Sequence, residues 1–274
     1  MTERTTSVCP KCGSPQVGNE IFCSSCGRRI VRAPSAIGTA PGRRDRRFER
    51  GFYLTFTFAF LVLVAWTFAR TFYLRPLYRL PPLSALLHVH GVVMTGWVVL
   101  LAVQSLLIGA RRISWHRRLG VFGAVWAALV VIFGTTTTIH AAAREVRGHT
   151  RFARGQIVIT SLDLVQMVLF AGLVFLAIRL RRRTDWHKRL MLLTIACMLP
   201  DALARLPVSF MTNRLILWGL DGFVLLGVGI DTLGNRRLHP ALAWGALIVL
   251  GPFHAGLHWF RAPGWIAFAS RWLS

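Results

Sequence analysis

The sequence predicts an all-α polytopic bundle of about seven transmembrane helices, preceded by a small N-terminal zinc ribbon. Three observations predict this fold class. Hydrophobic residues make up 54% of the 274 residues, although the formal net charge is +23. The apolar residues lie in long runs with arginines between them, as is typical of membrane spans and their flanking loops. Two Cys-x-x-C pairs precede the first apolar run.

The charge indicates which partner to expect. Lys11 and Lys188 are the only lysines, so arginine supplies nearly all of the positive charge. Basic loops are attracted to anionic headgroups by about 1 kcal/mol for each residue near the surface. We therefore expect the lipid bilayer to be the partner of these loops and disfavour nucleic acid. The first 27 residues are polar and lack an apolar core, so we expect no cleaved signal peptide.

Residues 1–28 are expected to form the zinc ribbon. Cys9 and Cys12 form one knuckle, Cys23 and Cys26 form the other, and ten residues separate Cys12 from Cys23. Two such knuckles place four thiolates around a zinc ion at Zn–S distances of about 2.3 Å. The segment is too short to bury a core, so the metal would supply most of its folding free energy. A pair of disulfides is the alternative, which a reducing cytoplasm disfavours.

The same stretch resembles the small zinc-ribbon modules of bacterial proteins, which read C-P-x-C-G followed by F-C-x-x-C-G. The segments that match are Cys9-Pro10-Lys11-Cys12-Gly13 and Phe22-Cys23-Ser24-Ser25-Cys26-Gly27. The resemblance implies a structural zinc and a surface for a cytoplasmic protein partner. It implies no catalysis, because all four ligand positions are filled.

Residues 29–50 are predicted to be a basic, flexible linker, since prolines, glycines and a run of arginines lie there. The transmembrane domain is then 51–274. A span needs about 20 apolar residues, and seven segments qualify: 51–73, 84–110, 119–142, 156–178, 190–210, 215–233 and 241–260. The fifth is the most polar of them, because it contains Pro200, Asp201, Arg205 and Pro207.

The arginines also predict the orientation. The arm before the first span and the loops 111–118 and 179–189 fall on one side, which the positive-inside rule assigns to the cytoplasm. We therefore expect a bacterial inner-membrane protein with its N-terminus inside and its C-terminus outside. Residues 264–274 carry three aromatic side chains and are expected to lie along the outer interface.

An internal repeat accompanies this topology. Residues 111–119, Arg-Arg-Ile-Ser-Trp-His-Arg-Arg-Leu, recur as residues 182–190, Arg-Arg-Thr-Asp-Trp-His-Lys-Arg-Leu. Ser114 and Asp185 are predicted to be N-caps of the helices that follow. His116 and His187 would both lie at the cytoplasmic face, where we favour a role as interfacial anchors over a functional one.

Ionisable residues inside the membrane are costly, so each one is a functional hypothesis. Counted from the helix ends, most of them fall in the outer half of the bundle. The candidate intramembrane polar site consists of His88, His90, His140, Asp163, Asp201, Arg205, Asp221, His254 and His258.

Three interpretations of this site stay open. In the first, Asp201 and Arg205 pair with each other and the histidines only bond neighbouring helices. In the second, His254 and His258, four residues apart on one helix face, help to ligate a metal or haem. In the third, the aspartates form a proton- or ion-coupled pathway.

A second resemblance concerns the membrane part. His88-Val89-His90-Gly91 and His116-Arg117-Arg118-Leu119-Gly120 are similar to segments of bacterial multi-pass proteins of unknown function, which are distantly like families tied to haem–copper oxidase assembly. The resemblance covers the second to fifth spans. It implies a haem or metal role for His88, His90 and His116.

The sequence has no Ser/His/Asp triad, phosphate-binding loop, dinucleotide-binding glycine pattern or H-E-x-x-H motif. It therefore favours a non-enzymatic role without deciding the question. We expect a sensor, assembly factor or electron carrier whose outer polar pocket binds metal or haem. The alternatives are a small ion- or proton-coupled transporter, and a scaffold whose zinc ribbon recruits a cytoplasmic partner.

Overall fold

The computed structural model describes residues 7–9, 12–16, 25–26, 43–206 and 212–274. The chain divides into a small unit that ends at Gly42 and a helical unit, Arg43–Ser274. In the small unit, β1 (Ser7–Val8) pairs antiparallel with β2 (Pro15–Gln16), with Ser7 opposite Gln16.

The turn between these strands is tight because Gly13 has a φ of +71°, a conformation that favours glycine. Two backbone hydrogen bonds close the turn: the Cys9 amide donates to the Ser14 carbonyl (3.0 Å), and the Gly13 amide donates to the Cys9 carbonyl (2.9 Å).

The helical unit contains eight α-helices in its described part. They are α1 (Arg43–Phe68), α2 (Ala85–Gly109), α3 (Ile113–Arg147), α4 (Ala153–Arg179), α5 (Thr184–Leu203), α6 (Asn213–Asn235), α7 (Pro240–Trp259) and α8 (Pro263–Leu273). A π-helical turn at Ala69–Tyr73 and a 3₁₀ turn at Arg75–Tyr78 extend α1. Because α1 already begins at Arg43, its first turns lie inside the stretch 29–50 that was expected to be a linker.

Six of the described helices are long and apolar enough to cross a membrane, which is compatible with a multi-pass integral membrane protein in a lipid bilayer. They are Gly51–Tyr73, Ala85–Gly109, Ile113–Arg147, Ala153–Arg179, Asn213–Asn235 and Pro240–Trp259. The bundle predicted from the apolar runs is thereby confirmed. The fifth predicted span corresponds to α5, which is not among the six; residues 207–210 of that span lie outside the described residues.

Helix α5 lies against four other helices, α1, α4, α6 and α7. Among the side chains whose burial the structure describes, α5 has more buried ones than any other helix, and Cys197 is one of them. Pro200 lies inside the helix, which nevertheless continues to Leu203. Close packing helps to bury it: a side chain at Gly245 of α7 would collide with Leu193 of α5.

The predicted helix caps of the repeat are wrong. The N-cap residues are Arg112 for α3 and Arg183 for α5, and neither makes a side-chain cap bond. Ser114 and Asp185 instead lie in the first turn, because each helix begins one residue before them. The amphipathic C-terminal segment is helical, and α8 packs on α3 and α4, where Ala269 and Leu273 contact Ala142 and Ile157.

The bundle has two ends. We call the end where α1, α3, α5 and α7 begin the first end, and the opposite one the second end. At the first end, Arg189 and Asp231 form an ion pair with an Nη2–Oδ2 distance of 2.8 Å, and their side chains are 4% and 1% exposed. The Arg189 Nε donates to the same oxygen (2.9 Å), and the Tyr53 hydroxyl donates to Asp231 Oδ1 (3.1 Å). These contacts join α1, α5 and α6.

We expect Asp231→Ala to destabilise the bundle by about 3–5 kcal/mol, because it leaves the Arg189 guanidinium buried without its counter-charge. Thermal unfolding in mild detergent would measure the effect. Asp185→Asn is the matched control, since the Asp185 carboxylate is 54% exposed. Equal melting temperatures for Asp231→Ala and the control would contradict this role of the ion pair.

Candidate functional site

Three of the four predicted zinc ligands converge in the small unit. The Sγ atoms of Cys9, Cys12 and Cys26 all lie within 4.8 Å of one another, and Cys9 Sγ is 3.8 Å from Cys26 Sγ. A tetrahedral zinc with Zn–S bonds of about 2.3 Å places its sulfurs about 3.8 Å apart, whereas a disulfide requires about 2.05 Å. The geometry therefore fits a shared ion. The fourth predicted ligand, Cys23, lies outside the described residues.

The surroundings of Cys12 favour the form that binds metals. Its Sγ lies 3.3 Å from the Ser14 hydroxyl. Hydrogen bonds from the Ser14 side chain and backbone lower the pKa of the Cys12 thiol to about 6. A thiolate, not a thiol, is the metal ligand.

In the membrane domain, four of the nine predicted polar residues come together, and we call His90, Asp163, Asp201 and Arg205 the acid–histidine centre. They come from α2, α4 and the end of α5 with the turn that follows it, all in the half of the bundle nearer the second end. The charges of Asp201 and Arg205 act on both His90 and Asp163. The His90 Nδ1 lies 3.3 Å from the Phe133 carbonyl of α3.

Hydroxyl groups hold the Asp163 side of the centre. The buried Thr138 hydroxyl of α3 donates to Asp163 Oδ2 at 2.6 Å. Thr160, one turn earlier on α4, lies 3.2 Å from Thr138 Oγ1 and donates to the Thr138 carbonyl at 3.1 Å. Gln156 donates in turn to Thr160 Oγ1 at 3.4 Å. A row of polar groups thus leads from the first turn of α4 to the Asp163 carboxylate.

An amide and a guanidinium hold the Asp201 side. The buried Gln166 amide donates to Asp201 Oδ2 at 3.1 Å. Arg205 Nη1 lies 3.6 Å from Asp201 Oδ1 and donates to the Asp201 carbonyl at 2.7 Å, which confirms the predicted pair. The Arg205 guanidinium also lies 4.7 Å from the centre of the Phe68 ring of α1. Each carboxylate is therefore held by groups from another helix or turn.

The other predicted residues lie elsewhere in the same half of the bundle. His254 of α7 lies 2.9 Å and 3.2 Å from the two carboxylate oxygens of Asp221 on α6. His258 is exposed one turn further along α7, where it lines a recess beside this pair. His88 and His140 are exposed, and His88 Nδ1 lies 3.3 Å from the Ser84 carbonyl. The predicted polar residues thus lie in the same half of the bundle but form several separate groups rather than one site.

The internal repeat brings its two histidines together at the first end. The His116 and His187 rings have centroids 6.3 Å apart and are nearly perpendicular, at 85°. His187 Nδ1 donates to the Ala177 carbonyl at 2.8 Å. With its amide oriented to satisfy its neighbours, Gln104 donates to His116 Nδ1 and accepts from the Gly120 amide. Each histidine is thus anchored to the preceding helix of its own hairpin.

The Arg189–Asp231 pair was not among the predicted sites, although the sequence held a signal for it. Both residues sit close to a predicted cytoplasmic boundary, where arginines are common and a charge needs no partner. The signal that could have found them is Asp231 itself, an acidic residue in an apolar helix that ends at a basic loop.

Comparison of the chain with protein-family models, curated proteins and solved structures finds no match. The chemistry of the sites therefore follows from the described residues alone. Three thiols can hold a soft divalent metal. The Asp163 and Asp201 carboxylates each accept a hydrogen bond from another helix, and carboxylates placed in this way can take up and release protons.

Proposed function

We propose that the chain is a seven-span protein of the bacterial inner membrane with a structural zinc ribbon, and that its membrane domain works by proton exchange at the acid–histidine centre. In this proposal the first end faces the cytoplasm, because the arginine-rich loops 111–118 and 179–189 lie there. The observation that carries the proton-exchange proposal is the placement of two hydrogen-bonded carboxylates in one half of the bundle: Asp163 is bound by the Thr138 hydroxyl, and Asp201 is bound by the Gln166 amide beside Arg205.

The seventh span in this proposal is α5. Its beginning is fixed at the first end through Arg189, which contacts Asp231, the partner of Tyr53 on α1. Its end lies near the second end, since Arg205 rests on Phe68 near the end of α1. The 20 residues of α5 correspond to about 30 Å of helix, which is close to the hydrocarbon thickness. A helix enclosed by protein needs little apolar surface, which accounts for its low hydropathy.

The zinc proposal rests on the three converging thiols, with Cys23 as the fourth ligand. Cys23 would complete a tetrahedron of four thiolates with Cys9, Cys12 and Cys26, in a unit with only two short described strands. With every position taken by thiolate, the metal supplies folding free energy and leaves no site open for substrate. The ribbon then serves as a rigid surface for a cytoplasmic protein partner.

The proton-exchange proposal follows from the inequality of the two carboxylates. Asp201 has a guanidinium beside it, whereas Asp163 accepts its hydrogen bond from the neutral Thr138 hydroxyl, which in turn lies 3.2 Å from Thr160 Oγ1. Protons therefore exchange between sites of different electrostatic surroundings. The hydroxyl and amide row through Thr138, Thr160 and Gln156 offers a polar route towards the second end. Intramembrane carboxylates with such neighbours typically mark proton relays.

Proton flux tests the proposal directly. Purified protein would be reconstituted in vesicles that contain a pH-sensitive dye, and a potassium diffusion potential would drive protons inwards. We expect the wild type to acidify the lumen and Asp163→Asn to reduce the rate to that of protein-free vesicles, because an amide cannot carry a proton. Asp221→Asn is the control, since Asp221 is bound to His254 outside the centre.

The same variants can be read by infrared spectroscopy during a pH titration. The proposal expects a carboxylic-acid C=O band that titrates in the wild type and in Asp221→Asn but is absent from Asp163→Asn. Wild-type flux equal to that of protein-free vesicles, together with no titrating band, would contradict proton exchange at the centre.

One observation favours a second candidate function, binding of a metal ion or haem by the repeat histidines. Since His187 Nδ1 donates to a backbone carbonyl, its Nε2 is left as the ligand atom, as in many metal-binding histidines. The His116 ring lies close enough to contribute to the same site. The protein would then be an electron carrier, sensor or assembly factor.

Metal content separates these possibilities. We expect about one zinc ion per chain in the wild type and almost none in Cys26→Ser, because three thiolates hold zinc much less tightly than four. Cys197→Ala is the matched control, since this cysteine is buried in the bundle core. Elemental analysis of protein in mild detergent gives the ratio. A wild type without zinc would contradict the ribbon.

Elemental analysis also tests the second candidate. That candidate requires iron or copper in addition to zinc, near one per chain, and its loss in His187→Gln with the zinc retained. If the wild type contains zinc but no iron or copper, the second candidate function is contradicted and the proton-exchange proposal stands alone.

A further inference from the structure

A cleft of about 830 Å³ opens at the second end, between the beginning of α6 and the end of α7. None of the residues that line this cleft belongs to the acid–histidine centre. The apolar walls of the cleft include Trp218 and Leu257, and its polar walls are formed by Thr212, Asn213, Arg214, His254 and Arg261. One wall therefore comes from the start of a long helix, and the other comes from the last turns of α7 and the residues just beyond it.

The cleft carries excess positive charge. Arg214 and Arg261 are both exposed, and within the described part of the chain neither forms a hydrogen bond or an ion pair. No acidic residue is among the described residues that line the cleft, and Asp221 of α6 is bound 2.9 Å away by His254, which does line it. The two guanidiniums thus face the cleft without a counter-charge from these walls. Two arginines on separate helices are well suited to hold one phosphate through charge-assisted, bidentate hydrogen bonds.

The beginning of α6 adds to this attraction. Thr212 is the N-cap, and its hydroxyl accepts a hydrogen bond from the Leu215 amide at 3.3 Å. The amides of the other first-turn residues are not used within the helix, and the positive end of the helix dipole points into the cleft. No acidic side chain occupies the first turn of α6.

The apolar walls indicate an amphiphilic ligand. Trp218 is 60% exposed and lies one turn along α6 from Arg214. Both α6 and α7 are apolar enough to cross the membrane, so this surface faces lipid chains while the arginines lie at the headgroup level. Arginine at the boundary with tryptophan beside it is the usual arrangement at a membrane interface. A ligand with a phosphate head and hydrocarbon chains matches both kinds of wall.

We propose that this cleft is a binding site for an anionic phospholipid, whose phosphate is held between Arg214 and Arg261 while its chains lie along Trp218 and Leu257. His254, kept in place by Asp221, closes the inner wall. The headgroup is bound at the second end, whose loops carry fewer arginines than those of the first end. The site therefore differs from the general attraction of the basic loops at the first end.

Lipid binding to the full chain tests the proposal. Native mass spectrometry or microscale thermophoresis in mild detergent would measure the affinity for short-chain phosphatidylglycerol and for the matching phosphatidylcholine. We expect phosphatidylglycerol to bind at least about tenfold more tightly, and the double variant Arg214→Gln/Arg261→Gln to lose that difference. Both arginines are exposed, so the double variant should fold, and its melting temperature would verify this.

The charge-matched control is Arg151→Gln/Arg154→Gln, because these exposed arginines also lie near the second end, Arg151 in the α3–α4 connection and Arg154 in the first turn of α4. The proposal expects this control to keep wild-type selectivity. An equal loss of selectivity in both double variants would show a general charge effect and overturn the site. Inorganic phosphate is the second probe: if it binds at Arg214 and Arg261 while phosphatidylglycerol binds no better than phosphatidylcholine, the ligand is a soluble phosphate and the lipid proposal fails.

Discussion

The bundle depends on a requirement of the bilayer interior, that a charge removed from water must be paired. Arg189 and Asp231 satisfy it at the first end, where they are almost fully buried and Tyr53 completes the hydrogen bonds of the carboxylate. Breaking such a pair costs more than forming it gains, because a single charge is left in a low dielectric. The pair therefore fixes the relative positions of α1, α5 and α6 more strictly than apolar packing could, since helices in lipid gain little from hydrophobic contact with each other.

With its beginning fixed in this way, α5 can be polar. Its neighbours shield it from lipid, so its other end can carry Asp201 and lead into Arg205, which meet Gln166 of α4 and Phe68 of α1. The acid–histidine centre is thus a consequence of burying a helix that is not apolar enough to face lipid by itself. The same enclosure explains why Cys197 is inert core and why glycine is needed at position 245, where Leu193 of α5 occupies the space of a side chain.

Much of the fold could be predicted from the sequence, because apolar runs and arginine-rich gaps report directly on the bilayer. The depth of His90, Asp163, Asp201, Asp221 and His254 could also be counted from helix ends. Their lateral grouping could not, since the order of helices around a bundle depends on side-chain packing that hydropathy does not encode. The sequence therefore did not separate the Asp221–His254 pair from the acid–histidine centre.

The internal repeat indicated that His116 and His187 occupy equivalent positions, but only the structure shows that α3 and α5 bring their rings together. The predicted caps failed because each helix starts two residues earlier than the predicted N-cap requires.

The position of α5 is the claim from which the rest follows, and chemical labelling tests it most directly. Arg182→Cys precedes α5 and Thr212→Cys follows it. Intact cells would be treated with a membrane-impermeant maleimide before and after permeabilisation, with the wild type as background. If α5 spans, Thr212→Cys is labelled in intact cells and Arg182→Cys is labelled above background only after permeabilisation. Labelling of both positions from the same side would show that α5 does not cross the membrane, and would contradict both the seven-span topology and the placement of the acid–histidine centre within it.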